Sequence, residues 1–155
     1  MMRITSLGAK ADLPQPRLEF ALSIRADLGP AVEFTTAHGL TRAMFPITGG
    51  QIAGPDWRAT ILPGGADFAT GLPDGSYAIE ARYFAQTPDG ITLSVLNAGR
   101  MWAQPDGSFD GRTRAEIQAP GGPLAWLTDA VLFGTAHAAA DDDDHVWIEL
   151  WRAVL

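Results

Sequence analysis

The chain has 155 residues, with 18 Asp and Glu against 11 Lys and Arg and a formal charge of −7; this surplus repels phosphate backbones and anionic bilayers, so neither nucleic acid nor a membrane surface is an expected partner. It contains no cysteine, which excludes disulfides, thiolate nucleophiles and Cys-type metal centres, and it has neither a signal-like apolar start nor an apolar run of about 20 residues, so a cytoplasmic location is expected. A hydrophobic content of 46% is enough for one sizeable core, so residues 1–155 read as a single domain, with 1–15 as a polar N-terminal extension.

In chain order, Arg17 to Arg25 alternates Leu18, Phe20, Leu22 and Ile24 with Glu19, Ala21, Ser23 and Arg25, the period of a half-buried strand. Further strands are predicted at 31–36, 41–48, 51–62 with a kink at Gly54-Pro55, 77–86, 91–104, 112–118, 130–136 and 145–153. Asn97-Ala98-Gly99 predicts a bulge or bend within 91–104. One short helix is predicted at 123–129. Three triplets, Pro73-Asp74-Gly75, Pro88-Asp89-Gly90 and Pro105-Asp106-Gly107, read as hairpin turns: Pro presets φ, Asp bonds local backbone, and Gly accepts positive φ. About nine or ten strands and one short helix predict an all-β, up-and-down antiparallel barrel, with a sandwich as the other solution.

The reactive inventory is short. The only lysine is Lys10, in the polar N-terminal stretch, which argues against a Schiff-base mechanism and a Walker-type phosphate loop. None of the serines sits in a G-x-S-x-G elbow; Ser76 and Ser108 follow Asp-Gly turns.

At Ile47-Thr48-Gly49-Gly50, Leu62-Pro63-Gly64-Gly65-Ala66-Asp67-Phe68, Ala81-Arg82-Tyr83 and Asn97-Ala98-Gly99 the chain resembles the family catalogued as domain of unknown function 3237. The likeness extends from Pro16-Arg17-Leu18-Glu19-Phe20 through Ala125-Trp126-Leu127 to the closing strand. It implies an up-and-down barrel enclosing a cavity, and no established activity.

Several constellations could carry chemistry. Pro63-Gly64-Gly65-Ala66-Asp67 reads as a glycine-turned loop that could place Asp67 at a barrel mouth, or as an ordinary turn with Asp67 capping its own backbone. Glu80 and Arg82 are two apart and share one side of a strand, opposite Tyr77, Ile79, Ala81 and Tyr83. They either line the lumen or form a solvated outer face. On the closing strand Trp147, Glu149 and Trp151 lie opposite Val146, Ile148 and Leu150; a carboxylate between two indoles would suit a general acid or a ring-stacking site, or the indoles could cover a subunit contact. Trp57, Tyr83 and Asn97 complete the candidate ligand contacts. His137 and His145 flank the Asp141–Asp144 run without matching any metal-site spacing, and no metal is expected.

These features predict a small-molecule-binding barrel that acts as a cofactor-independent lyase, isomerase or hydrolase on an apolar or aromatic metabolite. Its polar centre would be Asp67, Glu80 and Arg82. A non-catalytic carrier or an oligomeric structural module is the alternative, and a homo-oligomer is compatible with either.

Overall fold

A computed structural model describes residues 13–155; most of the expected N-terminal extension, Lys10 included, lies outside the described residues. Ten strands and one helix follow in order: β1 (Arg17–Leu28), β2 (Val32–Thr35), β3 (Thr41–Ala53), β4 (Arg58–Ile61), β5 (Gly65–Gly71), β6 (Tyr77–Gln86), β7 (Thr92–Ala103), β8 (Phe109–Gln118), α1 (Trp126–Asp129), β9 (Leu132–Ala138) and β10 (His145–Val154). Strands β6 to β10 form a meander, β10 pairs with β1, and β1 closes on β3, all antiparallel. Between β3 and β6 the wall is completed by β5 and β4 in tandem. With that tandem counted as one stave the barrel has eight, a size whose interior is filled by side chains or holds one small ligand. β2 pairs only with β3. The expected all-β barrel is therefore the observed fold, and no helix among the described residues is long and apolar enough to cross a membrane.

Each Pro-Asp-Gly triplet is a hairpin turn whose glycine has positive φ, 83° at Gly75, 91° at Gly90 and 87° at Gly107. Asp74 and Asp106 each accept bonds from the backbone N–H and hydroxyl of the serine two residues on. The turn chemistry legible in the sequence thus fixes the β5–β6, β6–β7 and β7–β8 connections.

The structure departs from the sequence expectations at five places. β3 runs unbroken through Gly49-Gly50, where φ of 134° at Gly50 bends the strand against β1; a Cβ there would collide with the Arg25 carbonyl oxygen. β7 shows no bulge at Asn97-Ala98-Gly99, since its register with β6 is continuous from Tyr77↔Met101 to Gln86↔Thr92. Register shifts fall instead in β1, between Asp27 and Leu28 against β3 and between Phe20 and Leu22 against β10. There one extra residue flips the alternation, so Leu18 and Phe20 face outward, 56% and 42% exposed, while Leu22, Ile24 and Ala26 face inward. Finally, Gly65 to Gly71 forms a strand where a loop was expected, and the helix is a single turn.

The two ends of the barrel differ. At the end carrying α1, the inward residues Ile52, Ile61, Ala85, Leu93, Ile117 and Leu127 are at most 2% exposed, and burial of each large aliphatic contributes about 1.5–3 kcal/mol. At the end carrying the 72–76 and 104–108 turns, the inward positions Ala43, Phe45, Tyr77, Ile79, Phe109 and Val146 are only partly buried, around a buried Met101 and Ala136. The interior is closed at the first end and open toward the second.

Candidate active site

Asp67 lies in the middle of β5 with its side chain inward, paired with Phe45 on β3 and Ala81 on β6. The same level continues from Ala81 to Asn97 on β7 and Ala115 on β8. Tyr83, the next inward residue of β6, stands one level nearer the closed end. A Cβ on Gly65 would collide with the Arg82 carbonyl oxygen and the Cβ of Tyr83, so glycine at 65 is what lets β5 approach β6 this closely beside Asp67. Thr113, the inward residue of β8 one level nearer the open end, sets its hydroxyl where a Cβ on Gly134 would be. Neighbouring strands are about 4.8 Å apart and successive inward residues about 6.7 Å, so four adjacent strands converge four polar side chains on one small region.

These groups sit in an apolar interior, and most of their polar atoms lack partners. Asn97 is 1%, Tyr83 4% and Thr113 6% exposed. Asp67 Oδ1, the Tyr83 hydroxyl, both amide atoms of Asn97 and the Thr113 hydroxyl have no hydrogen-bond partner among the described residues. Each such group costs about 1–3 kcal/mol when left unsatisfied, and a cluster of them is the pattern of a site that receives something polar. Burial pushes the Asp67 carboxyl up to about 6, a hydrogen bond from the Glu80 backbone offsetting part of the effect. The Tyr83 hydroxyl is pushed well above its ordinary value, first by burial and then by the negative charge of Asp67. Near neutral pH Asp67 can therefore both hold and release a proton, while Tyr83 stays a neutral hydrogen-bond donor.

Other candidates lie elsewhere. Glu80 and Arg82 do not line the lumen: period-2 alternation turns Ala81, Tyr83 and Ala85 inward and these two outward, where they pair with each other at 2.7 Å. Trp147, Glu149 and Trp151 also face out, because Ile148 and Leu150 take the inner side of β10. Trp147 is 52% exposed, and Trp151 packs edge-to-face on Phe20 with centroids 5.4 Å apart. Trp57 lies over Gly54 in the β3–β4 turn, partly buried and with its Nε1 unpartnered. His137 pairs with Asp110 at 2.6 Å, and His145 with Asp142 at 2.8 Å. Among the described residues no three His, Asp or Glu side chains are grouped to hold a metal ion.

Sequence reasoning missed Thr113, although the signal is present: Arg112, Arg114 and Glu116 alternate with Thr113, Ala115 and Ile117, which marks Thr113 as the inward polar residue of that strand.

An eight-stave antiparallel barrel, closed at one end and holding an isolated polar centre, is thus the class of molecule that fold and site define. The chain belongs to the family described as "Protein of unknown function (DUF3237)", whose model matches residues 16–153. It is 35% identical over 95 residues to the hydroalkoxylation enzyme phnH of Penicillium herquei, a stretch covering 61% of this chain and 62% of that protein; the matched region is thus less than two thirds of that relative. In three dimensions it is similar to a crystal structure of an enzyme from the same fungus, with 26% identity and a TM-score of 0.73, covering 96% of this chain and 100% of the other. A conserved protein of unknown function from Rhodopseudomonas palustris superposes with a TM-score of 0.80 at 25% identity, covering 92% of this chain and all of that one.

Proposed function

We propose that the protein is a cofactor-independent acid–base enzyme that moves a proton on a small, largely apolar, oxygen-bearing metabolite inside the barrel. The observation that carries this reading is the set of unpartnered polar atoms around Asp67 at the base of the open half. Asp67 is the proton-transfer group. Tyr83, Asn97 and Thr113 bind and orient the substrate oxygen, with Tyr83 and the Asn97 amide donating to it as charge develops.

The name of the Penicillium relative favours one reaction class, addition of a substrate hydroxyl across a carbon–carbon double bond. In that reaction one O–H and one π bond are lost and one C–O and one C–H bond are gained. No electrons are exchanged with another reactant. Asp67 takes the hydroxyl proton and returns one to carbon, which requires a carboxyl that titrates near neutral pH; burial supplies that property.

The test is a screen of unsaturated alcohols and alkenyl phenols for conversion to an isomer of unchanged mass, followed by Asp67→Asn. Loss of a positioned acid–base group lowers the rate about 10²–10⁴-fold. Conversion at the parent rate by a folded Asp67→Asn variant refutes the assignment. Binding without conversion across the screen makes the barrel a carrier.

A further inference from the structure

Resting on the reading of Asp67 just given, we infer that the open end is the substrate entrance and that Tyr77 and Phe109 act there as specificity-determining residues, selecting a planar ring that carries its oxygen inward. The route follows from burial. Inward side chains from Tyr83 to α1 are buried, whereas Phe45 beside Asp67 and Ile79, Tyr77 and Phe109 above it are partly exposed around the buried Met101, so the turn-bearing end is the route by which a solute reaches the carboxyl.

The walls of that route are flat and narrow. Tyr77 and Phe109 meet edge-to-face, with centroids 5.7 Å apart and planes at 75°. Gly71 packs against the Tyr77 ring, and Phe45 pairs directly with Asp67. Below the rings the next level is Ala69, Ile79, Gly99, Thr113 and Gly134, which brings the Thr113 hydroxyl of the polar centre directly under them. A hollow of about 290 Å³ lies at the rim between the 38–41 loop and the 71–77 turn, with Tyr77 as one wall. From Tyr77 to the level of Asp67 is four residues of β6, about 13 Å of strand, so a ring held by Tyr77 and Phe109 points its substituent down the lumen. Aromatic faces stack on planar rings and reject puckered ones of equal carbon count.

The probe pair is 2-naphthol and decahydro-2-naphthol, which share a carbon skeleton and a hydroxyl but differ in planarity. NMR titration of the full chain is expected to show 2-naphthol shifting resonances of Phe45, Tyr77, Ile79 and Phe109, and binding more tightly than the decahydro compound. Tyr77→Leu and Phe109→Leu keep apolar bulk at partly exposed positions and should each weaken 2-naphthol about three- to tenfold, with amide spectra otherwise preserved. Asp67→Asn should retain the planar preference even though it abolishes turnover; an active Asp67→Asn enzyme would defeat the acid–base reading and leave the entrance standing. Equal affinity for the two probes, shifts confined to the outer Trp147–Trp151 face, or no binding of 2-naphthol overturns the entrance assignment.

Discussion

The closed and open halves of the interior are built from the same alternating strands but do opposite work. Toward α1, inward positions carry Ile, Leu and Ala at near-zero exposure, and the unpartnered Trp57 Nε1 lies in the β3–β4 turn. Toward the turns, Tyr77, Ile79, Phe109 and Val146 stay partly exposed, while Met101, Ala69 and Ala136 among them are buried. Burial that would have stabilised the second half is given up, and unpartnered Asp67, Asn97 and Thr113 sit at the boundary. Stability is concentrated in one half so that the other can hold a strained electrostatic arrangement.

Substitutions on the two sides should separate these roles. The largest expected effect is on rate: Asp67→Asn lowers turnover about 10²–10⁴-fold, equivalent to about 3–5 kcal/mol of barrier, while the melting temperature does not fall. In the closed half the pattern reverses. Leu127→Ala, at a position with 0% exposure, should destabilise by about 2–5 kcal/mol in urea titration. Ile79→Ala, in the open half and partly exposed, should cost less than half of that. Equal losses at the two positions would mean that the halves are packed alike.

The pH dependence follows from the raised Asp67 carboxyl, about 6 in the folded state against 3.8 when unperturbed. The folded chain then binds this proton more tightly than the unfolded chain, so the contribution favours folding below about pH 4. It is lost as pH rises from about 4 to about 6 and is flat above that. About two pKa units correspond to an upper bound of about 3 kcal/mol, reduced because Asp67 keeps some solvent contact. Glu19, Asp74, Asp106 and Asp142 have lowered values from their hydrogen bonds, led by Arg152 for Glu19, Ser76 for Asp74, Ser108 for Asp106 and the Asp144 backbone for Asp142, and run the other way. The informative quantity is therefore the difference between the parent chain and Asp67→Asn across pH 4 to 8. It should grow in favour of the variant as pH rises to about 6, and a constant difference rules out the raised carboxyl. A smaller gain is expected from Thr113→Val, which removes an unpartnered buried hydroxyl at constant shape and should stabilise by about 1–2 kcal/mol.

The sequence made the barrel legible because its signals were local. Pro-Asp-Gly turns and period-2 runs specify hairpins without reference to the rest of the chain. The site was legible only in part. Asp67 stood out as a carboxylate beside paired glycines, but its strand was hidden: Gly65, Asp67, Ala69 and Gly71 point inward and Phe68 outward, the reverse of the usual apolar-in pattern. Close approach inverts the pattern in this way, since the Arg82 carbonyl and the Cβ of Tyr83 stand where a side chain at 65 would be. The bulge at Ala21 was illegible for a different reason, because it depends on registering β1 against β10, more than 120 residues away. Trp147 and Trp151 misled because aromatic rows on an outer face look in sequence like rows on an inner one.

The smallest expected effect tests the inside–outside division most directly. Glu80 and Arg82 flank Ala81, the residue between Asp67 and Asn97 in the ladder, so in sequence they are as near the polar centre as any charged pair can be. They nevertheless point away from it, with side chains 47% and 63% exposed and paired to each other. An exposed pair of this kind contributes at most about 1 kcal/mol, because water screens it and two long side chains lose freedom in forming it. Glu80→Gln and Arg82→Met, singly and together, should change unfolding free energy by no more than about 0.5 kcal/mol and turnover by less than about twofold. The double variant should depart from the sum of the singles by no more than about 1 kcal/mol, the coupling of one exposed pair. A large loss of turnover with the fold intact would mean that the outer surface of β6 reaches the substrate, and the boundary drawn along this strand between chemistry and solvent would have to be moved.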